Sequence, residues 1–260
     1  MRSGLNAAIV LCLLLGSCLR VAGDESGEGV MSSIPQASAD GGPVLEYVLL
    51  STGVHFDGTK LTDLAADWNR RVDAAGYEII TANILTPQFL TNDFDLVWVV
   101  LWSSSKARDA GWSHWNAYQA RDWQAEYASI LQSPPAGVYS FATHWGYQTP
   151  GFSFKAGDSF FSSFYLCALR DSHDATDLEA FQTRYNAWVS HADGTGEYGY
   201  LTLQPHMPLP SVDFVWLDIF GSDAALQAGA ARWSGSELES DWNVMASCDN
   251  YPFASIKIRS

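Results

Sequence analysis

The chain has 260 residues, with 14 Lys+Arg against 29 Asp+Glu, a net charge of −15 and 47% hydrophobic residues. That apolar fraction supports one sizeable core or two small ones and excludes disorder throughout. A pI near 4.5 and the shortage of basic residues leave no footprint for phosphate backbones or anionic lipid headgroups, so no nucleic-acid partner is expected. Aromatic residues make up 13% of the chain, including 11 Trp, more flat apolar surface than packing usually demands.

At the amino terminus, Arg2 precedes an apolar run from Leu5 to Leu15, and the small residues Val21-Ala22-Gly23 follow. This pattern predicts a signal peptide over 1–23 and a secreted or periplasmic protein. The run is too short to span a bilayer, so no membrane insertion is expected after processing. Leu15-Gly16-Ser17-Cys18 also resembles a bacterial lipobox with Gly at its second position, which would make Cys18 a lipid anchor and the protein a membrane-anchored lipoprotein. Loss of Arg2 and Arg20 with the leader would take the net charge from −15 to −17. Residues 24–42 are small, polar and rich in Gly, Ser and Ala, as in a flexible linker, and the folded part is expected from about Pro43.

The remainder is an internal duplication. Asp95–Trp115 aligns with Asp213–Trp233 at an offset of 118, with eight of 21 positions identical. Unrelated segments of ordinary composition would share roughly one. The matches include Asp95/Asp213, Trp98/Trp216, Ser104/Ser222, Ala107/Ala225, Gly111/Gly229 and Trp115/Trp233. Each repeat, 43–150 and 151–260, reads strand, helix, strand, strand, helix, strand. In the first, strands are predicted at Leu45–Ser51, Tyr77–Leu85, Phe94–Trp102 and Gly137–Trp145. Its helices are a segment carrying Leu61, Leu64, Ala65, Trp68 and Val72, then a region from Ser104 to Leu131. In the second, strands are predicted at 162–170, 197–204, 213–220 and 250–258, with helices at 175–192 and within 222–246. Ser236 and Glu239 have capping-box spacing.

The βαββαβ order is the ferredoxin-like split motif. With the repeated Asp-x-Val-Trp strand followed by Ser, Ala-Gly and Trp, it resembles the dimeric α/β-barrel superfamily over about residues 44–260. The resemblance implies an α+β fold in which two tandem ferredoxin-like units close an intramolecular barrel with helices outside. A monomer with a pseudo-dimeric barrel is then expected. Members include cofactor-free monooxygenases, isomerases, haem enzymes and proteins of no known activity, and the fold does not choose among them.

Alternation along the strands divides them into two faces. The aliphatic sets Val97, Val99, Leu101 and Val215, Leu217, Ile219 are assigned to the helix side. The sets Trp98, Val100, Trp102 and Trp216, Asp218, Phe220 are assigned to the lumen. The same reasoning sends Leu201 and Leu203 outward. It places Ile79, Thr81, Asn83, Tyr139, Phe141, Thr143, Trp145, Tyr198, Tyr200, Thr202, Gln204, Tyr251, Phe253, Ser255 and Lys257 inward. An aromatic lumen with a few polar groups is expected to bind an aromatic or apolar small molecule. Its candidate ligand residues are Asn83, Trp98, Trp102, Tyr139, Tyr200, Gln204, Trp216 and Phe220. Asp218 is the candidate acid or base, because a carboxylate on a central strand must find donors or shift its pKa. The alternatives are a cofactor-free monooxygenase or isomerase using Asp218, and a structural or interaction module.

No cofactor is predicted. The six His show no ligand spacing, so no metal site or haem-binding His is nominated. No nucleophile elbow, P-loop or dinucleotide fingerprint is present. Cys167 and Cys248 fall on strands that are neighbours in the split motif and are candidates for a disulfide.

Overall fold

The computed structural model describes residues 42–132, 137–191 and 197–260. The leader, Cys18 and nearly all of the linker lie outside the described residues. The first unit comprises β1 (Val44–Thr52), α1 (Gly58–Ala75), β2 (Ile79–Pro87), β3 (Leu96–Trp102), α2 (Ser105–Tyr118), α3 (Ala120–Tyr127), a two-residue β4 (Leu131–Gln132) and β5 (Val138–Gln148). The second comprises β6 (Ser159–Leu169), α4 (Ala175–Ser190), β7 (Tyr198–Pro205), β8 (Phe214–Phe220), α5 (Asp223–Trp233), α6 (Glu237–Met245) and β9 (Ala246–Arg259). The expected helical region after Ser104 is thus two helices and a short strand, and the last strand begins four residues before the expected 250.

Strand order is β5-β1-β3-β2 in the first unit and β9-β6-β8-β7 in the second, every pair antiparallel. The seams β2–β9 and β5–β7 join the two sheets into one closed barrel of eight strands, β4 being a small addition at the end of β1. Both ferredoxin-like units therefore contribute to a barrel made within one chain.

The duplicated residues do the same work twice. Asp95 accepts hydrogen bonds from Thr52 N (2.6 Å) and Thr52 Oγ1 (2.9 Å), while Asp213 accepts from Leu169 N (2.7 Å), so each fastens the end of its unit's first strand. Ser104 and Ser222 are N-caps accepting from Ala107 N (3.1 Å) and Ala225 N (3.2 Å). Gly111 lets α2 close onto Trp102: a Cβ there would stand 2.5 Å from the indole ring. Ser236 caps α6 through Glu239 N (3.1 Å), but the Glu239 carboxylate accepts from Gly235 N (2.6 Å), one residue away from capping-box closure.

The two faces of the wall are the reverse of the assignment made for the third strands and for β7. All eight strands send aliphatic and aromatic side chains into one interior cluster: Leu45, Tyr47 and Leu49 (β1), Leu85 (β2), Val97 and Val99 (β3), and Phe141 (β5). Phe164 (β6), Leu201 and Leu203 (β7), Val215 and Leu217 (β8), and Phe253 (β9) complete it. Trp98, Val100 and Trp102 instead pack with helix residues Leu64, Trp68 and Val72, and Tyr200 and Trp216 with Phe181, Tyr185 and Leu238. The physical reason is room. An eight-stranded barrel has an interior just wide enough for side chains to fill, which suits Val and Leu. Indoles spread where helices can be held away from the sheet. Tyr139, Phe141, Tyr251 and Phe253 do face the lumen. Asn83, opposite Val99 and Lys257, shares that face. Ile79 lies on the helix side beyond a register shift, and Trp145 is half exposed beside another. A lumen packed in this way is core and not the expected ligand chamber. Cys167 and Cys248 face each other across β6 and β9 and form a disulfide.

Candidate functional site

Cavities lie in both halves, between the barrel wall and its helices. The first, about 150 Å³, is enclosed by Trp98, Trp102, Trp112, Trp115 and Trp123, with Glu46 at its edge. Glu46 is fully buried on β1, an isolated carboxylate in an otherwise apolar strand. Its charge is met on every side. Oε1 accepts from Arg108 Nε at 2.5 Å, and Oε2 accepts from Trp112 Nε1 at 2.7 Å and Trp102 Nε1 at 3.1 Å.

The second cavity is larger, about 470 Å³. Its floor is Trp216, Asp218 and Phe220 on β8 with Tyr147, Tyr165 and Tyr198 from neighbouring strands. Its roof is Phe181, Tyr185 and Trp188 on α4, Leu226, Gly229, Ala230, Arg232 and Trp233 on α5, and Glu239 and Trp242 on α6. Asp218 Oδ1 accepts from Tyr198 Oη at 2.6 Å and from Trp216 Nε1 at 2.8 Å. Tyr185 Oη stands 2.7 Å from Tyr198 Oη, extending the network by one hydroxyl. Oδ2 accepts no hydrogen bond among the described residues, and no cation pairs with the carboxylate there. Burial therefore dominates, and despite the two donors the Asp218 carboxyl is pushed up to about 6. The same burial, reinforced by Asp218, pushes the Tyr165, Tyr185 and Tyr198 hydroxyls up.

The repeat explains the contrast. Glu46 pairs across the sheet with Val100, and Ser163 pairs with Asp218, so the same cross-strand position carries one carboxylate in each half, on opposite strands. At the repeat offset of 118, the three donors around Glu46, namely Trp102, Arg108 and Trp112, correspond to Phe220, Leu226 and Ala230. All three replacements line the second cavity. None can donate a side-chain hydrogen bond, and two are much smaller, so the cavity is wider and no cation pairs with its acid among the described residues.

Of the residues singled out from sequence, Asp218, Trp216 and Phe220 meet in the second cavity, beneath the helices and not in the lumen. Tyr200 supports them, stacked on Trp216 at 4.0 Å between centroids and donating to Asn186 Oδ1 at 2.8 Å. Trp98 and Trp102 line the first cavity, whereas Tyr139 and Asn83 face the lumen. Gln204 lies on the outer face opposite Ala142, its Oε1 buried without a partner among the described residues. Glu46, Arg108, Tyr185 and Arg232 were missed. Glu46 carried a signal, being the one charge in the run Val44–Leu50.

No family model and no curated protein matches the chain. Solved structures do. A mutant chlorite dismutase from Candidatus Nitrospira defluvii in complex with cyanide superposes with a TM-score of 0.52 at 10% identity, over 84% of this chain and 92% of that one. An anthrone oxidase-like protein gives 0.52 at 12% identity, over 84% and 92%. A "putative monooxygenase" from Lactobacillus acidophilus NCFM gives 0.52 at 14%, over 84% and 94%.

Haem does not fit the residues that line these two cavities. Neither cavity has a His, Cys or Met among its described lining residues. Tyr165, Tyr185 and Tyr198 are held away from the phenolate that haem ligation would need. No group of three or more His, Cys, Asp or Glu that could hold a metal occurs among the described residues. What remains in the second half is a largely aromatic chamber with the Asp218 carboxylate in its floor. At these identities the neighbours establish architecture alone, and on that ground this chain has the dimeric α/β-barrel fold, with both ferredoxin-like units in a single polypeptide.

Proposed function

We propose that the second cavity binds a flat aromatic molecule carrying an acidic hydrogen, a phenol or an enolisable aromatic ketone, and that Asp218 takes that proton. The observation that carries this reading is the uncompensated carboxylate: Asp218 Oδ1 is held by Tyr198 and Trp216, while Oδ2 is left open in a cavity walled by aromatic rings. A base with a pKa near 6 is ionised at neutral pH yet more basic than an ordinary carboxylate, the compromise that proton transfer favours. The fold shared with an anthrone oxidase-like protein and a "putative monooxygenase" supports the substrate class.

In the step envisaged, the substrate's C–H or O–H bond breaks and its proton passes to Asp218 Oδ2. The electron pair stays on the substrate and spreads over the ring and its oxygen. Trp216 and Tyr198 hold the other carboxyl oxygen throughout, so the base is oriented before the substrate arrives. The Trp and Tyr walls exclude water and lower the screening of the developing charge. The amino-terminal pattern around Arg2 and Leu5–Leu15 supports export of the mature chain. No helix among the described residues is long and apolar enough to cross a membrane.

Anthrone, a three-ring ketone with an acidic methylene, is the probe. The protein should speed exchange of the methylene hydrogens with deuterium from solvent, followed by mass spectrometry, and the rate should rise with pH through about 6 and then level. Asp218→Asn should slow it by about 100-fold or more. Binding without any exchange dependent on Asp218 would reduce the cavity to a binding site and end the proton-transfer reading.

A further inference from the structure

Among the described residues lining the two cavities, Arg232 alone is cationic. It stands in the last turn of α5, its guanidinium 3.9 Å from the centroid of the Trp188 ring and donating through one nitrogen to the Trp188 carbonyl. These contacts fix the plane of the group. They use one of its five N–H donors.

The other half-buried arginines are engaged with acids: Arg71 with Asp67 and Glu126, Arg108 with Glu46, and Arg259 with Asp73. Arg232 has no carboxylate partner among the described residues, although the chain carries 29 acids against 14 bases. The neighbouring acid in the roof, Glu239, is occupied with Gly235 N at 2.6 Å. The cavity is therefore bipolar. A carboxylate sits in the sheet at Asp218, a guanidinium sits in the helical roof at Arg232, and aromatic rings line the same cavity.

We infer that Arg232 makes this cavity selective for aromatic acids: a ring system seated among the Trp and Tyr side chains, with a carboxylate on the Arg232 guanidinium. This deepens the reading of the same site given above and rests on it for the position of the acidic hydrogen, which would face Asp218. A planar guanidinium already oriented by Trp188 matches a carboxylate through two parallel N–H donors at little further ordering cost.

The probes are 2-naphthol and 6-hydroxy-2-naphthoate, which share ring and hydroxyl and differ in a carboxylate at the far end of the ring system. Titrated by fluorescence at pH 7.5, the naphthoate should bind about tenfold or more tightly than the naphthol. Raising NaCl from about 0.05 to about 0.5 M should erode that preference, because it is ionic. Arg232→Gln should bring the ratio of the two affinities close to one, and Arg232→Lys should restore part of it. Equal affinities in the unaltered protein would overturn the inference, as would a salt-independent ratio or a ratio that survives Arg232→Gln. Should the glutamine variant not fold, the salt dependence of the native protein still decides. Asp218→Asn separates the two ideas. A charge preference with anthrone exchange indifferent to Asp218 keeps the Arg232 assignment and removes the proton transfer. Exchange that depends on Asp218 without a charge preference does the reverse.

Discussion

The two cavities occupy equivalent places in the two repeats, and their carboxylates live under different rules. Glu46 is ringed by an arginine and two indole N–H groups, a complete set of donors for a buried charge, and its cavity is small. Asp218 has a phenol and one indole, no paired cation among the described residues, and a chamber about three times larger. A compensated carboxylate is a structural element, whereas an uncompensated one stores basicity. Leu226 and Ala230, standing where the first repeat has Arg108 and Trp112, leave more space and no counter-charge at those two positions.

The sharpest way to break that contrast is to give the first half the second half's residue. Arg108→Leu strands a fully buried Glu46 without its cation, and urea unfolding should show a loss of about 3–5 kcal/mol. A loss under about 1 kcal/mol would mean the ion pair is not what holds the first half together.

Asp218→Asn should act in the opposite direction. The folded-state pKa of Asp218, about 6, lies above the ordinary 3.8, so the folded protein holds this proton more tightly than the unfolded chain does. Its contribution is full below about pH 4 and is lost as pH rises through about 6. The variant should accordingly gain up to about 3 kcal/mol over the native protein at pH 8 and little or nothing below pH 4. A gain independent of pH would dissociate the effect from ionisation.

A smaller change sharpens the comparison from the other side. Leu226→Arg restores the cation at the repeat-equivalent position and should draw the Asp218 titration down by about one unit, or about 1.4 kcal/mol. Carboxyl-carbon NMR would read it directly. An unmoved midpoint would show that the two halves differ in more than the lost cation.

Much of this organisation was legible before the structure. The duplication showed in Asp95/Asp213, Ser104/Ser222 and Gly111/Gly229, residues whose work at strand ends, caps and close helix approaches depends on local geometry and so survives divergence. Asp218 stood out because its repeat partner is Val100. Sidedness was not legible. Val97, Val99 and Leu101 alternate with Trp98, Val100 and Trp102, so both faces are apolar and the period of two says only that they differ. Barrel width decides between them, and width is a property of closure that no single strand contains. The pairing of Glu46 with Val100 and of Ser163 with Asp218 was hidden for the same reason, since register between distant strands is fixed by the whole sheet. Arg232 was hidden by its ordinary setting, a basic residue in the last turn of a helix.

The seams β2–β9 and β5–β7 lie between units that one backbone already connects. A barrel shared by two separate chains follows mass action and comes apart when diluted. Here the partner's effective concentration is set by the connecting chain and does not fall with the bulk concentration. Closure of the barrel that carries Asp218 therefore needs no second chain, and an affinity measured for the proposed ligands should be the same at nanomolar as at micromolar protein.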